Sequence, residues 1–436
     1  MKIPWWTGHC GKTCFNIFAG FNQSFMTESA MSSTERRLYW LAAIVLGWAY
    51  FSHLGYVPIE PPSDEGIRSL VSLEMNLSGN YWVPTLNGDI YLNKPPLFNW
   101  ILALSFKIFG YTAFALRLPT FISIFIGGWI VYKFTRRYFD ERTAWTSALF
   151  TLVNGRILIY DSLLGLIDIT YAWVTLLGFM LIFRYGEKKQ YVALFLLSYL
   201  VAAVGYLMKG FPSLVYQGLT LLAYFTYTRN FKKLFHPAHF AGISGFLLVT
   251  GSYYFIYFRQ TGLSPEDLFN TLFNESAKRT AVSSGKNELL KHLLVFPLSL
   301  FYHFMPPMLF AILLFRKNAV QLIRSHPFIL FCTVTFIVNI LVYWFSPKIF
   351  ARYLLTIMPL AFIVFAWAWH TKTTENDPRK KILHWIMLIG VTAIFTACFV
   401  LPFHPMTRIV DHAWPRSVFL VIALGRVVYG MGRLPR

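Results

Sequence analysis

Long apolar stretches recur along the whole chain, separated by short polar joints rich in Lys, Arg, Gly and Pro. Leu38–Tyr50, Tyr191–Leu207, Phe328–Trp344 and Ile382–Leu401 reach or nearly reach the ~20 helical residues that cross a hydrocarbon core about 30 Å thick. An unsatisfied backbone amide is costly in lipid, so such stretches are expected to be helices. The pattern predicts spans near 38–55, 114–132, 144–163, 166–183, 190–208, 211–228, 239–258, 292–315, 327–345, 353–370, 382–401 and 416–431. The expected fold is an all-α polytopic bundle of about twelve transmembrane helices.

The joints orient these spans. Lys133 to Arg137, Arg184 to Lys189, Arg229 to Lys233, Arg316 to Arg324 and Lys372 to Lys381 are basic and juxtamembrane, which assigns them to the cytoplasm. Each consecutive pair of them encloses two spans. With Arg36 and Arg37 also inside, a single span must return the chain to Lys133. Two apolar runs compete for it, and Leu97–Phe109 is only ~20 Å long at about 1.5 Å per residue and contains Lys107. It is therefore expected to lie at the interface or re-enter. Residues 57–113 then form one long extracytoplasmic loop and 259–291 a second. Residues 36–436 are the transmembrane domain, and residues 1–35, which lack a signal-peptide pattern, are expected to be a cytoplasmic tail. Both termini are expected inside.

Composition agrees with a membrane as the solvent. A chain of 436 residues that is 56% hydrophobic and 13% charged has too little polar surface to coat one soluble globule. The formal charge of +20 resides in the basic joints, not in a stripe on a soluble domain, which argues against a nucleic-acid partner. Cys332 and Cys398 fall in spans, and Cys10 and Cys14 have no second pair to complete a zinc site.

Candidate chemistry collects at the expected outer face: Asp64, Glu65, Lys94, Arg156, Asp161, Asp168, Lys209, Lys278, Arg279, Lys348 and Arg352. Ionisable groups at the ends of spans mark a site or pathway, with snorkelling to the headgroups as the bland alternative for each Lys or Arg. Asp64 and Glu65 follow Pro61-Pro62-Ser63, where Ser63 or Asp64 can cap a short helix and set the acids at its positive end. Such a carboxylate can take a proton, orient a nucleophile or hold a cation. Asp161 and Asp168 flank a hairpin whose turn holds no basic residue, so they are expected to face water or a cationic ligand. Lys94 before two prolines, Lys209 before Gly210, and Arg279, Lys348 and Arg352 suit a phosphate.

Several of these elements together resemble the bacterial aminoarabinose transferases of lipid A and the wider protein O-mannosyltransferase-like family. They are Asp64-Glu65, the Gly79-Asn-Tyr-Trp-Val-Pro-Thr-Leu-Asn-Gly88 stretch, Lys94-Pro95-Pro96-Leu97, Gly110 before Ala115-Leu-Arg117-Leu-Pro119, Asp161, Lys209-Gly210 and Arg352-Tyr353. The resemblance covers about residues 38–370. It implies a C-type glycosyltransferase bundle in the plasma (inner) membrane. It further implies transfer of a sugar from a polyprenyl-phosphate donor to a lipid, glycan or protein acceptor outside the cytoplasm. Asp64, Glu65 and Asp161 are then the implied catalytic acids. Lys94, Lys209, Arg279, Lys348 and Arg352 are the implied donor-phosphate ligands, and Tyr91, Asn93 and Asp168 the implied substrate contacts. Relatives usually carry a Glu, implicated in metal binding, where this chain has Asn93. Asp64, Glu65 and Asn93 are the candidate ligands should a divalent cation bind, and an amide is the poorer donor. A transporter of lipid-linked sugars is the rival class. It calls for ionisable groups near the midplane and broken helices in inverted repeats.

Overall fold

The computed structural model describes residues 31–55, 59, 63–277, 286–372, 377–387 and 389. Helix α1, Ser33–Phe51, opens with a capping box in which the Ser32 hydroxyl accepts from the Glu35 N–H and the Glu35 carboxylate accepts from the Ser32 N–H. The first long joint then folds into structure of its own. It comprises α2, Asp64–Ser78, a minimal hairpin of β1, Thr85–Leu86, and β2, Asp89–Ile90, and α3, Leu97–Phe109. The hairpin pairs Thr85 with Ile90 and Leu86 with Asp89. Its Asn87-Gly88 turn has positive φ at both residues, 55° and 84°, the combination that Asn-Gly supplies.

The bundle follows: α4, Ala113–Tyr138; α5, Glu141–Leu152; α6, Ile167–Glu187; α7, Tyr191–Lys209; α8, Pro212–Tyr227; and α9, Pro237–Thr261. After α10, Pro265–Ala277, and α11, Lys286–His303, come α12, Pro327–Trp344, and α13, Met358–Thr371. Helix α7 packs between α6 and α9, and α5 lies against α4 and α13. Every residue of α13 from Met358 to Ala368 is buried, as expected of a helix apolar all round at the centre of a bundle. Leu247, Leu248 and Phe255 on α9 and Leu294 and Leu298 on α11 are exposed, which suits lipid.

Five described helices, α4, α6, α7, α9 and α12, are long and apolar enough to cross a membrane, and a sixth span is available if the pair Asn287–His303 and Pro307–Leu314, bent by 117°, counts as one. The protein is a multi-pass, all-α membrane protein. Besides this bent pair at 292–315, three further expected spans are shorter or broken as helices. The stretch 144–163 is helical only to Leu152 and continues as a π turn, Arg156–Tyr160, and a 3-10 turn, Asp161–Leu163. Helices α8 and α13 have 16 and 14 residues. Of the last two expected spans, residues 416–431 lie outside the described residues, and 382–401 does so beyond 389. The reading of Leu97–Phe109 as a short, non-spanning helix matches α3, which has those bounds.

One buried ion pair ties the first joint to the bundle. Arg117, near the start of α4, is wholly buried and grips Glu65 with both branches of its fork, at 2.8 and 3.0 Å. It also donates to the carbonyl of Leu54, at 3.2 Å. Glu65 in turn accepts the Gly165 N–H at 2.7 Å. Gly165 is required there, because a Cβ would lie 2.8 Å from the Leu116 carbonyl oxygen. Four segments thus meet at one charge pair. At the opposite end, Arg36 pairs with Glu141 and Arg142 with Glu35, joining α1 to α5.

Arg117→Met strands a buried carboxylate and should lower the unfolding free energy by about 3–5 kcal/mol. The double variant Glu65→Leu, Arg117→Leu should recover part of that loss. Thermal unfolding in detergent measures both, and a double variant no more stable than the single one would contradict this account.

Candidate active site

Asp64 begins α2, with the Ser63 hydroxyl capping the helix by accepting the Gly66 N–H at 3.1 Å. Its side chain is 57% exposed, unlike Glu65, Asp161 and Asp168. Arg352 reaches it. That residue lies on a 3-10 stretch, Ala351–Thr356, leading into α13. Its Nη2 donates to Asp64 Oδ2, and its Nε is 3.2 Å from Asp168 Oδ2. The second contact is an ion pair without a well-directed hydrogen bond, since Nε has no hydrogen-bond acceptor among the described residues. Phe350 faces the guanidinium, with its ring centroid 4.3 Å from Cζ.

Asp168 sits in the first turn of α6, where the helix dipole favours an anion. Lys209 Nζ donates to its Oδ1 at 2.5 Å. Lys209 is the last residue of α7, and Gly210 behind it, at φ +80°, turns the chain away. The ammonium stands 4.0 Å from the Tyr353 ring centroid, a cation–π contact. Lys94 is close enough to act electrostatically on Asp168. Lys209 and Arg352 thus contact Asp64 and Asp168, with Lys94 near enough to act on Asp168. These five described residues sum to one net positive charge, which suits an anion.

Beside it, Asp161 and Arg156 form a second pair, with Arg156 donating at 2.9 and 2.6 Å. The turn between Asp161 and Asp168 holds no basic residue, as expected, but the acids are buried on cations of the protein itself instead of facing water: Arg156 for Asp161, Lys209 and Arg352 for Asp168.

Other expectations change as well. Glu65 does not join Asp64: both its oxygens serve Arg117 and Gly165. A cation site on Asp64, Glu65 and Asn93 is not assembled, and no group of three or more His, Cys, Asp or Glu that could hold a metal occurs among the described residues. Tyr91 is buried and its hydroxyl accepts from Arg68 at 2.9 Å, so it does not present itself to a substrate. Asp168, with both oxygens in ion pairs, does not either. Asn93 is exposed. Lys348 stays apart, half exposed and 4.0 Å from Glu288. Lys278 and Arg279 lie outside the described residues. Sequence reasoning gave no role to Arg68 or Arg117; a charged residue early in an apolar span is the signal that could have singled out Arg117.

Glu74 holds the hairpin against α2, accepting from Thr85 Oγ1 at 2.6 Å and from the N–H groups of Asn87 and Gly88 at 2.6 and 3.3 Å. Burial acts to raise its carboxyl, and these donors outweigh burial and hold it below the usual glutamate value. The anchoring is therefore complete above the unfolded value and is lost as pH falls through the lower, folded one. Glu74→Ala should speed limited proteolysis at Asn87-Gly88 roughly fivefold at neutral pH, and acid should bring the parent chain toward the variant.

Comparison with known proteins agrees with this architecture. Residues 93–254 match the family model described as dolichyl-phosphate-mannose-protein mannosyltransferase. An uncharacterized protein of Aquifex aeolicus (strain VF5) is 26% identical over 231 residues, 53% of this chain and 45% of that one. The undecaprenyl phosphate-alpha-4-amino-4-deoxy-L-arabinose arabinosyl transferase 1 of Proteus mirabilis (strain HI4320) is 27% identical over 211 residues, 47% and 38% of the two chains. The matched region thus spans less than half the length of these relatives. Among solved structures, ArnT from Cupriavidus metallidurans bound to undecaprenyl phosphate superposes with a TM-score of 0.67 at 20% identity, over 92% of this chain and 75% of that one. The archaeal oligosaccharyltransferase AglB from Archaeoglobus fulgidus gives 0.50 at 14%, over 92% and 55%.

The fold is that of the C-type glycosyltransferases. Within that class, residues 93–254 are similar to the dolichyl-phosphate-mannose-protein mannosyltransferase family, and about half of the chain is similar to the bacterial arabinosyl transferases.

Proposed function

We propose that the protein moves a sugar from a polyprenyl-phosphate donor to an acceptor at the extracytoplasmic face of the plasma (inner) membrane, with both termini in the cytoplasm. The observation that carries this reading is the single exposed carboxylate, Asp64, held by Arg352 at the edge of a net-positive cluster. The basic, juxtamembrane joints between helices support the orientation.

In this reading the bond between the anomeric carbon and the phosphate oxygen breaks, and a bond from that carbon to an acceptor oxygen forms. The electron pair leaves with polyprenyl phosphate, whose charge Lys94, Lys209 and Arg352 stabilise. Where the acceptor is a hydroxyl, its proton passes to Asp64, the carboxylate that solvent can reach. Where the acceptor is a phosphate of lipid A, no proton is removed and Asp64 orients the nucleophile. Asp161 and Asp168 hold the cations in place and do not touch the reacting atoms. Arg279 is a candidate for the donor phosphate on the resemblance alone. The family relationship of residues 93–254 supports the donor class, and the acceptor class is lipid, glycan or protein.

Asp64→Asn should reduce sugar transfer in proteoliposomes by roughly a hundredfold or more while binding of undecaprenyl phosphate persists. Full transfer by the variant would overturn the reading. Mass spectra of lipid A and surface glycans from cells with and without the gene should differ by one sugar on one acceptor class.

A further inference from the structure

Arg68 occupies an unusual place. It lies one helical turn beyond Asp64 on α2, is only 6% exposed, and forms no ion pair with a carboxylate among the described residues. Its two polar contacts are to neutral side chains. Nη2 donates to Tyr91 Oη at 2.9 Å and Nη1 to Asn99 Oδ1 at 3.4 Å. A buried guanidinium answered only by a phenol and an amide is costly, so a local contact of this kind is expected to do something that a cheaper apolar contact would not.

What it does is legible in the chain path. Tyr91 precedes Lys94 by three residues and Asn99 follows it by five, so the two prongs of one guanidinium hold the segment Tyr91-Leu92-Asn93-Lys94-Pro95-Pro96 from both sides. Tyr91 is further fixed by its N–H, which donates to the Pro84 carbonyl at 2.8 Å, and by packing on Val71 and Met75 of α2. Asn99 is fully buried and its Nδ2 finds no acceptor among the described residues, so Arg68 is the contact that orients the amide. A circuit closes: α2 carries Asp64, Asp64 meets Arg352, Arg352 meets Asp168, Asp168 feels Lys94, and the Lys94 segment returns to α2 through Arg68.

We infer that Arg68 is a positioning residue: its fork, clamped on Tyr91 and Asn99, sets where Lys94 stands relative to Asp64 and so tunes the grip on the donor's phosphate. A planar fork can hold two acceptors at fixed separation, whereas an ammonium cannot. In its effect on the donor the inference rests on the glycosyl-transfer reading; the clamp itself does not.

The test uses the full-length protein in lipid nanodiscs with Arg68→Met, Arg68→Lys and Tyr91→Phe. Hydrogen exchange of the backbone amides in residues 89–94 reads the clamp directly, and should quicken roughly tenfold in Arg68→Met and severalfold in Tyr91→Phe, which removes a single acceptor. Steady-state transfer reads the consequence. The donor KM and the dissociation constant for undecaprenyl phosphate alone should rise roughly tenfold, with the acceptor KM unchanged and Arg68→Lys failing to restore the donor KM. A residue that merely supported folding would lower the active fraction, and hence the apparent kcat, and leave both KM values where they were; that result overturns the inference. Unchanged exchange in 89–94 overturns it too, including in a protein that transfers no sugar at all, where the glycosyl-transfer reading falls separately.

Discussion

Arg117 is among the largest side chains wholly shut away from solvent, and its charge is answered by Glu65. Everything at the candidate site hangs from that pair. Glu65 is the residue after Asp64, so fixing the first fixes the second at the head of α2. The same carboxylate holds Gly165, and with it the turn between Asp161 and Asp168. A buried pair of this kind is weak evidence of net stability, but it is a strong geometric constraint. The observed arrangement of the first joint, α4 and the α5–α6 turn satisfies both charges and the Gly165 amide together.

The site uses its carboxylates in two ways. Asp161 and Asp168 are buried and spent on cations, which keeps Arg156, Lys209 and Arg352 in place without leaving them to solvent. Asp64 alone is accessible. Two adjacent acids, Asp64 and Glu65, therefore take opposite roles, because successive helical residues point about 100° apart: one faces the cluster and the other the core. Lys209 and Arg352 also rest on the rings of Tyr353 and Phe350, so aromatic faces supply some of the stabilisation that water would otherwise give these cations.

The first joint deserves its length for a physical reason. Phe98, Leu102 and Phe106 of α3 are buried in the main core, Leu97 and Trp100 pack against Tyr253 and Tyr257 of α9, and polar contacts add to the fastening: Glu74 to the hairpin turn, Trp100 to the Tyr81 carbonyl at 2.6 Å, and Tyr253 of α9 to the Trp82 carbonyl at 3.0 Å. The result is a structured cap over one end of the bundle, held by apolar burial of α3 and by hydrogen bonds that fix the hairpin.

The membrane class, the helical path and the short α3 were all legible in the sequence, since they depend on apolar run length against a fixed bilayer thickness and on local signals such as Ser63, Asn87-Gly88 and Gly210. The motifs around Asp64, Lys94 and Arg352 were equally visible, and so was their gathering at one end. What could not be read was which charge answers which. Glu65 with Arg117, Asp168 with Lys209 and Arg352, and Arg68 with Tyr91 and Asn99 join residues from 23 to 184 positions apart, and no periodicity encodes such a pairing. In a low-dielectric bundle an ion's role is set by its nearest partner, and that partner is chosen by helix packing alone. Sequence by itself determined that these charges stand together in a membrane; the tertiary structure decided which are buried in the scaffold and which one of the cluster's acids, Asp64, stays exposed.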